Sequence, residues 1–378
     1  MNFALEEHEL MVQETARRVA VDHLAPGAKA LDESHAFPKE NIERLGELGL
    51  LGVNIPEQYG GAEAGPVAYS LAMMEVGAAC AATGVTMAVT NMVGEIIAAF
   101  GTEEQKAKHI PKLTSAEYGA GAFALSEAHC GSDAAALRTK AVLDGDEWVI
   151  DGEKMWITSG DVAGVIVVWA RTSGTGPKGI TCFLVEGGTP GLSAGRPEEK
   201  TGQRGSSTVS LTLEGVRVPK SAMLGEEGQG FKIAMMALDG GRIGVASLAT
   251  GIGRAALEAA RTYANDRQAF GKPLADFQAI QWKLADMATE LDAARLLALR
   301  AAWLKGQGRR FSIEASMAKV FASEKALAAC NEAVQIHGGF GYVNEFPVER
   351  YLRDVRVTTI YEGTSEIQRL VIARSLLA

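Results

Sequence analysis

The acid Glu362 stands beside glycine and hydroxyl residues in the segment Tyr361–Glu366, near the end of a 378-residue chain. A carboxylate can act as a general base when it is held next to a weakly acidic proton. The same pattern is typical of a helix start, with Thr364 followed by Gln and Arg residues. Taken alone, the segment favours the helix start.

Two segments in the middle of the chain could contact a planar or phosphorylated ligand. Phe123–Asp133 combines hydroxyls with a glycine turn, and a loop capped by Ser132 explains it equally well. In Lys154–Gly160, Trp156 could form a wall against a flat aromatic ligand, with Thr158 able to hydrogen-bond it. Taken alone, the second segment favours a tryptophan packed on the core.

A pair of glycines separates Asp239 from Arg242, which share one face of a predicted helix. An exposed ion pair at this spacing would contribute little to stability. Two glycines near a helix start destabilise the helix, so they suggest that another group approaches it closely.

Two later segments could hold an anion. Asp266–Lys272 is typical of a helix end with Gly271 at the C′ position, and its Arg267 could bind a phosphate or face solvent. Gln335–Tyr342 has three glycines in four residues, which could bring backbone amides to an anion or could mark a helix-to-loop junction. By contrast, Gly251–Ala256 matches a dinucleotide-binding motif but lies inside a predicted helix with no strand before it. Close helix packing explains that match better.

These residues must be positioned by elements of three different kinds. Residues 1–120 have helical periodicity, residues 121–225 consist of β-rich runs separated by glycine and proline, and residues 226–378 are helical again. Because no helices alternate with the strands, an antiparallel barrel or sandwich is expected rather than a parallel sheet. From Ile280 to Ala301, apolar residues recur at alternating steps of four and three, as in a long bundle helix. The prediction is an α+β protein with a helical domain, a β domain and a helical bundle.

Composition excludes several classes of protein. Acidic residues outnumber basic ones by 46 to 37, giving a net charge of −9, which argues against a general nucleic-acid-binding protein. No apolar run near the roughly 20 residues of a membrane span is expected. The acidic N-terminus is unlike a targeting peptide, although a processed mature protein would look the same. The four cysteines are far apart, and the adjacent His129 and Cys130 lack the geometry of metal ligands, so no metal site is expected.

In this order and at these separations, the segments together resemble the acyl-CoA dehydrogenase family, especially its short-chain, butyryl-CoA-type members. The resemblance covers essentially the whole chain. It implies an N-terminal α-helical domain (1–120), a middle antiparallel β-barrel or sandwich domain (121–225) and a C-terminal four-helix bundle (226–378). It also implies FAD as cofactor, an acyl-CoA substrate, a homotetramer arranged as a dimer of dimers, and electron-transfer flavoprotein as electron acceptor.

The resemblance also implies site residues. Glu362 would be the catalytic base, and the substrate would meet Ser132, Asp239, Arg242 and Gly363. The remaining positions would contact FAD, partly across a subunit interface: Phe123, Leu125, Ser126, Ser132, Trp156, Ile157, Thr158, Arg267, Phe270, Gln278, Gln335, Ile336, Gly338, Gly339, Thr364 and Glu366.

The implied reaction is removal of the α-proton of an acyl-CoA thioester by Glu362, with the β-hydride passing to flavin N5 and a trans-2-enoyl-CoA as product. The family has a second base position, which here is Gly241 and cannot take a proton. The usual Pro-Gly-x before Gly-Ser-Asp is replaced by Ala128–Cys130, so no ligand contact at 128–130 is carried over from the resemblance. The alternatives are a flavin monooxygenase or oxidase on the same fold, or a non-catalytic acyl-CoA-binding protein. Fatty acid β-oxidation or amino-acid catabolism in the cytoplasm, or in the mitochondrial matrix for a processed form, is the expected setting.

Overall fold

The computed structural model describes residues 4–377, which fold into a helical region, a β-sheet and a second region of longer helices. The first region is built on short amphipathic helices, as in α3, where Ile42 and Leu45 point into the core. A single π-helical turn, Ala20–Leu24, joins the first two helices. The six helices are α1 (Glu7–Val19), α2 (Ala25–Ser34), α3 (Lys39–Glu47), α4 (Gly65–Ala79), α5 (Ala81–Phe100) and α6 (Glu103–Thr114).

Helix α5 corrects the expectation that no apolar run is long enough to span a membrane. Its 20 residues have a mean hydropathy of 1.3, so by length and composition it could cross a bilayer. However, 78% of its most apolar window is buried inside the protein, as in an ordinary core helix. One such helix is therefore only weak evidence for a membrane span.

Eight strands form one sheet in the order β6-β7-β3-β2-β4-β5-β8, with β1 beside β4. Most neighbours are antiparallel, but β1 and β2 each pair with β4 in parallel. The helix–sheet–helix fold class is confirmed; the sheet is not a closed barrel, because β6 and β8 do not pair with each other within residues 4–377. The strands are β1 (Gly121–Ala124), β2 (Lys140–Asp144), β3 (Glu147–Thr158), β4 (Val165–Arg171), β5 (Ile180–Glu186), β6 (Leu192–Ala194), β7 (Thr208–Pro219) and β8 (Met223–Leu224).

The central strand β4 is buried on both faces, and its alternating side chains enter two different apolar clusters. Val165, Val167 and Trp169 pack with residues of α5, α6 and α7. Ile166 and Val168 pack within the strands on the other face. The sheet is therefore fixed against the helices, and the loops that leave its strands are held in place for a site.

The second helical region contains one long central helix and four others. A hairpin follows α7, with Phe270 at φ 52° and Gly271 at φ 80° as its two central residues, so Gly271 is a turn residue rather than the predicted C′ cap. The seam predicted for α8 is confirmed, with Met287, Leu291 and Ala294 buried. The elements are α7 (Gly230–Asp266), β9 (Gln268–Ala269), β10 (Lys272–Pro273), α8 (Gln278–Gly306), α9 (Ser312–His337), α10 (Val348–Arg356) and α11 (Ser365–Leu377).

The glycines of the dinucleotide-like motif allow helices to pack closely. A Cβ atom at Gly251 would overlap the Met74 carbonyl of α4. A Cβ atom at Gly253 would lie 2.5 Å from Leu291 Cδ2 of α8. The helix-packing interpretation is therefore correct.

Candidate active site

Glu362 lies in the turn between α10 and α11, in a backbone conformation that non-glycine residues rarely adopt. Its φ is 52°, and that of Gly363 is 93°. Gln368 Nε2 donates a hydrogen bond to the Gly363 carbonyl at 2.8 Å and another to the Glu362 carbonyl at 3.3 Å. Thr364 Oγ1 accepts from the Ile367 N–H at 3.4 Å, so the helix-start interpretation of this segment is also correct.

Gly241 of α7 provides the space that the Glu362 carboxylate occupies. A Cβ atom at Gly241 would lie 2.7 Å from Glu362 Cδ and 3.0 Å from Oε1, and would overlap Oε2. The predicted close approach to the paired glycines is therefore observed. The glycines lie inside α7, however, and not near its start.

The carboxyl group of Glu362 is in an environment that favours its protonated form. Oε2 is buried without a hydrogen-bond partner. Burial raises the pKa of Glu362 from 4.5 to about 7, although the nearby charges of Lys319 and Arg242 act in the opposite direction. An unpartnered carboxyl group with a pKa near neutrality is well suited to act as a base.

Asp239 and Arg242 form a largely buried ion pair and not the exposed one that the sequence pattern suggested. Arg242 is only 5% exposed, and its Nη1 donates to Asp239 Oδ1 at 2.6 Å. Ser312 of α9 donates a hydrogen bond to the other Asp239 oxygen. Because Arg242 Nε is buried without a partner, the guanidinium keeps one donor for a ligand.

The two β-domain segments are tied together by a buried ion pair. Lys154 Nζ lies 2.9 Å from Glu127 Oε1 and 3.2 Å from the Leu125 carbonyl oxygen, which accepts its hydrogen bond. The Met155 N–H donates to the Ser126 carbonyl at 2.9 Å. Phe123–Ser132 and Met155–Thr158 therefore lie side by side, as a shared ligand would require.

Trp156 is the exposed element of this region. It has a φ of 64°, and 58% of its surface faces solvent, whereas Ile157 next to it is buried. An indole held in a strained backbone conformation at the surface suits a wall against a planar ring. The expectation of a Trp packed in the core is wrong. Of the other predicted residues here, Leu125 is buried, Phe123, Ser126 and Thr158 are partly buried, and Ser132 is exposed.

A second group of predicted residues lines an open groove of about 610 Å³. Arg267 reaches it from the end of α7, and Ile336, Gly338 and Gly339 reach it from the end of α9. A Cβ atom at either glycine would meet nothing within 4 Å, so a ligand can approach this backbone closely. Phe270, Gln278 and Gln335 are exposed and do not line the groove.

Glu127, His129 and Cys130 place ligand atoms within 4.8 Å of one another, as a metal site would. The Glu127 carboxylate already accepts hydrogen bonds from Arg138 N, Lys154 Nζ and both donors of Thr139. Its lone pairs are therefore used within the protein, and the cluster does not argue for a metal.

The sequence prediction missed Lys154 and Lys319, which are both fully buried. Lys319 Nζ donates to the Gly363 carbonyl at 2.8 Å and so contacts the turn that carries Glu362. A single lysine between Ala315, Ala318 and Ala322 on the buried face of α9 was the available signal.

Three domain descriptions of one family match the chain in order. The acyl-CoA dehydrogenase N-terminal domain matches residues 6–117, the middle domain residues 122–216 and the C-terminal domain residues 228–377. The chain belongs to the acyl-CoA dehydrogenase family, a family of FAD-dependent oxidoreductases.

Curated relatives and solved structures agree with this assignment. The chain is 52% identical to the mitochondrial short-chain specific acyl-CoA dehydrogenase of Bos taurus, over 99% of this chain and 91% of the relative. It is 49% identical to a probable acyl-CoA dehydrogenase of Bacillus subtilis over the full length of both. The structure of butyryl-CoA dehydrogenase from Megasphaera elsdenii is similar, with a TM-score of 0.98 and 42% identity over the whole of both chains.

Two other structures bear on cofactor and partner. A chain in the structure of the electron transferring flavoprotein of Acidaminococcus fermentans has a TM-score of 0.98 and 43% identity, with full coverage of both chains. Glutaryl-CoA dehydrogenase of Mycobacterium smegmatis, solved in complex with FADH2, has a TM-score of 0.93 and 34% identity, covering 98% of this chain and 95% of that one. The predicted family, enzyme class and FAD cofactor are confirmed.

The described residues fit an FAD molecule. Trp156 offers an exposed indole face, Arg267 offers a cation, and the uncovered backbone of Gly338 and Gly339 lines the same groove as Arg267. A planar ring and a pyrophosphate need donors of these kinds.

Proposed function

We propose that this enzyme dehydrogenates a short- or branched-chain acyl-CoA between its α and β carbons and releases trans-2-enoyl-CoA. Glu362 would remove the α-proton. The observation that carries the proposal is the Glu362 carboxyl group, whose buried Oε2 has no hydrogen-bond partner and lies against Gly241. The turn that carries it is hydrogen-bonded by the side chains of Lys319 and Gln368. The hydride acceptor is supplied by FAD when it is bound.

The protein's own contribution to the reaction is orientation and electrostatics. An α-proton of a thioester is weakly acidic, so its removal needs stabilisation of the negative charge that develops on the thioester oxygen. The Glu362 backbone N–H is the proposed donor to that oxygen, as the family resemblance implies. An acyl chain that expels water from around Glu362 would keep its pKa high and would make it a stronger base.

The substrate would be held from two sides. Arg242 supplies a buried cation with a free Nε donor, and Asp239 fixes the guanidinium. Ser132 on the β domain and Gly363 beside the base are the other proposed substrate contacts. FAD would contact the residues that the resemblance implies, including Thr364 and Glu366, partly across a subunit interface in a homotetramer.

We also propose electron-transfer flavoprotein as the acceptor that reoxidises the flavin. The structural similarity to a chain of such a complex supports this choice. The curated relatives include both mitochondrial and bacterial enzymes, and a cytoplasmic location is proposed. The domain ranges 1–120, 121–225 and 226–378 are likewise proposed.

The deciding experiment is anaerobic mixing of the purified yellow protein with butyryl-CoA. The flavin should bleach, and Glu362→Gln should keep the colour while it reduces the flavin about 10²–10⁴-fold more slowly. Glu258→Gln, an exposed substitution on the same long helix that contacts Glu362, is the control and should bleach normally. Comparable bleaching by the Glu362 variant would contradict the assignment of the base. A colourless protein that does not take up FAD would contradict the whole proposal.

The length and branching of the acyl group need a separate measurement. Flavin reduction rates across straight and branched acyl-CoAs should be highest for a four- or five-carbon acyl group. A preference for long chains would contradict the short-chain assignment.

A further inference from the structure

Lys319 is a buried lysine that forms no ion pair with any carboxylate of the described residues. The residue is 0% exposed, and its side chain extends from the N-terminal third of α9. The other fully buried lysine, Lys154, forms an ion pair with Glu127 at 2.9 Å. Within residues 4–377, Lys319 has no such pair, and its hydrogen bond goes to the Gly363 carbonyl. Burying an ammonium group without an ion-pair partner costs free energy of folding, which suggests that the group has a role at this position.

The Gly363 carbonyl is the point on which two side chains converge. Lys319 Nζ and Gln368 Nε2 each donate to it at 2.8 Å. One donor comes from α9 and the other from α11, so the carbonyl is fixed from two helices. The preceding residue, Glu362, has a φ of 52°, and such conformations persist only where neighbouring groups hold them. The contacts therefore keep the carboxylate pointing over Gly241.

The same ammonium also acts on the charge of Glu362. Burial raises the pKa of Glu362, and the charges of Lys319 and Arg242 lower it. In turn, burial lowers the pKa of Lys319 to about 8, while Glu362 favours its charged form. Each group therefore stabilises the charge of the other.

The other groups around this pair come from several elements. Arg242 of α7 disfavours the Lys319 charge, whereas Glu366 of α11 and Glu324 of α9 favour it.

Two phenols lie near the Glu362 charge: Tyr361 in the turn and Tyr69 of α4. Burial raises the pKa of both, and the Glu362 charge acts in the same direction. Glu95 of α5 also faces Tyr69, but it is paired with Lys305 of α8. Among the residues that the structure describes, Lys319 and Arg242 are thus the two cations that lower the pKa of Glu362.

We propose that Lys319 is the positioning residue of proton abstraction: it holds the Gly363 carbonyl so that Glu362 points at the substrate, and its charge favours the ionised form of Glu362. This rests on the proposed function, in which Glu362 is the base. Lys319 itself transfers no proton and contacts no substrate. Its role is exerted through Glu362.

The test is the pH dependence of flavin reduction by butyryl-CoA in three variants. Lys319→Met removes the charge and should move the acid limb of the rate profile about one unit upward. The rate loss should then be about tenfold larger at pH 6 than at pH 9. Lys319→Arg keeps the charge and should leave the limb in place. Lys325→Met lies on the same helix in a half-exposed pair with Glu290 and should change neither limb nor rate.

The results separate this proposal from the proposed function. If Glu362→Gln still reduces the flavin, the base assignment fails. If that variant is inactive but the limb of Lys319→Met does not move, only the role of Lys319 is overturned, since a merely structural lysine would lower the rate equally at all pH values.

A measurement without turnover covers the case in which Lys319→Met does not fold. In lysine-labelled protein carrying Glu362→Gln, the Lys319 Cε resonance should titrate at lower pH than in the parent, because a favourable charge has been removed. The Lys325 resonance should be unchanged. An identical Lys319 titration in both proteins would overturn the proposal.

Discussion

The carboxylate of Glu362 occupies the space that a side chain at Gly241 would fill, with Glu362 Cδ only 2.7 Å from the position of a Cβ atom there. In the sequence, Gly241 mattered because it cannot itself be a base. In the structure it has a second role, because its missing side chain lets a residue about 120 positions later lie against α7. The position of the Glu362 carboxylate therefore depends on the absence of a side chain at residue 241.

Gly241→Ala should displace the Glu362 carboxylate and slow the reaction while the fold survives. A shift of about 1 Å in a reacting group can cost about 10²-fold in rate, and a loss of this order is expected in anaerobic flavin reduction. FAD content should not change. Gly339→Ala adds a methyl group where a Cβ would meet no other protein atom within 4 Å. It should lower the affinity for FAD and not displace Glu362. An unaffected reduction rate in Gly241→Ala would contradict the packing.

The titration of Glu362 should also appear in the stability of the protein. Its pKa is about 7 in the folded protein and 4.5 in the absence of burial, so between these pH values the unfolded chain releases the proton first. Stability is therefore lost as pH rises from about 4.5 to 7, by roughly 3 kcal/mol at most, at 1.36 kcal/mol per unit. Glu362→Gln does not titrate and should be more stable than the parent at pH 8 but not at pH 4.5.

Thermal unfolding of the two proteins at both pH values measures that difference. Asp354, whose pKa burial raises to about 6, has the same sign, but it is present in both proteins and cancels. A stability difference that does not vary with pH would contradict the raised pKa.

Lys154→Met should be strongly destabilising, because it leaves the Glu127 carboxylate buried without its charged partner. Breaking a buried pair in this way typically costs about 3–5 kcal/mol. The double substitution Lys154→Met with Glu127→Gln should recover part of the loss. Chemical denaturation of the apoproteins gives these values, and additive losses in the double variant would argue against a coupled pair.

Phe270→Asn should separate stability from cofactor binding. Phe270 is 96% exposed at the tip of the β9–β10 hairpin and has a φ of 52°, a conformation that Asn adopts more readily. The apoprotein should become more stable, by up to about 1 kcal/mol, while the FAD affinity falls if Phe270 contacts the cofactor. Fluorescence titration with FAD checks the second expectation, and unchanged affinity would remove Phe270 from the proposed site.

Local patterns predicted the elements well and their partners less well. Three runs that were predicted as strands are strands in the structure: Trp148–Ile150, 165–169 and 181–185. Their β-branched and aromatic residues, placed between glycine turns, suit a pleated surface. The parallel pairing of β1 with β4 joins residues about 44 positions apart, and no short pattern encodes it. The β9–β10 hairpin was missed because Phe at its first turn position is an atypical residue there.

The site was predictable as a set of segments but not as an electrostatic environment. Glu362 was found through a resemblance, since alone it was indistinguishable from a helix-start acid. Burial of Arg242 and Lys319 depends on how α7, α9 and the following turn meet, which sequence spacing does not reveal. The effect of Lys319 and Arg242 on the pKa of Glu362 is therefore visible only in the folded structure.

The membrane-like composition of α5 has a consequence during synthesis. Its apolar surface is covered partly by α7, which begins 130 residues after α5 ends. At about 5–20 residues per second, that gap leaves the helix without its full cover for roughly 7–26 s on the ribosome. A truncated chain ending at residue 117 would keep this surface exposed permanently. Nascent chains of this protein should therefore be recognised by chaperones until the start of α7 has emerged.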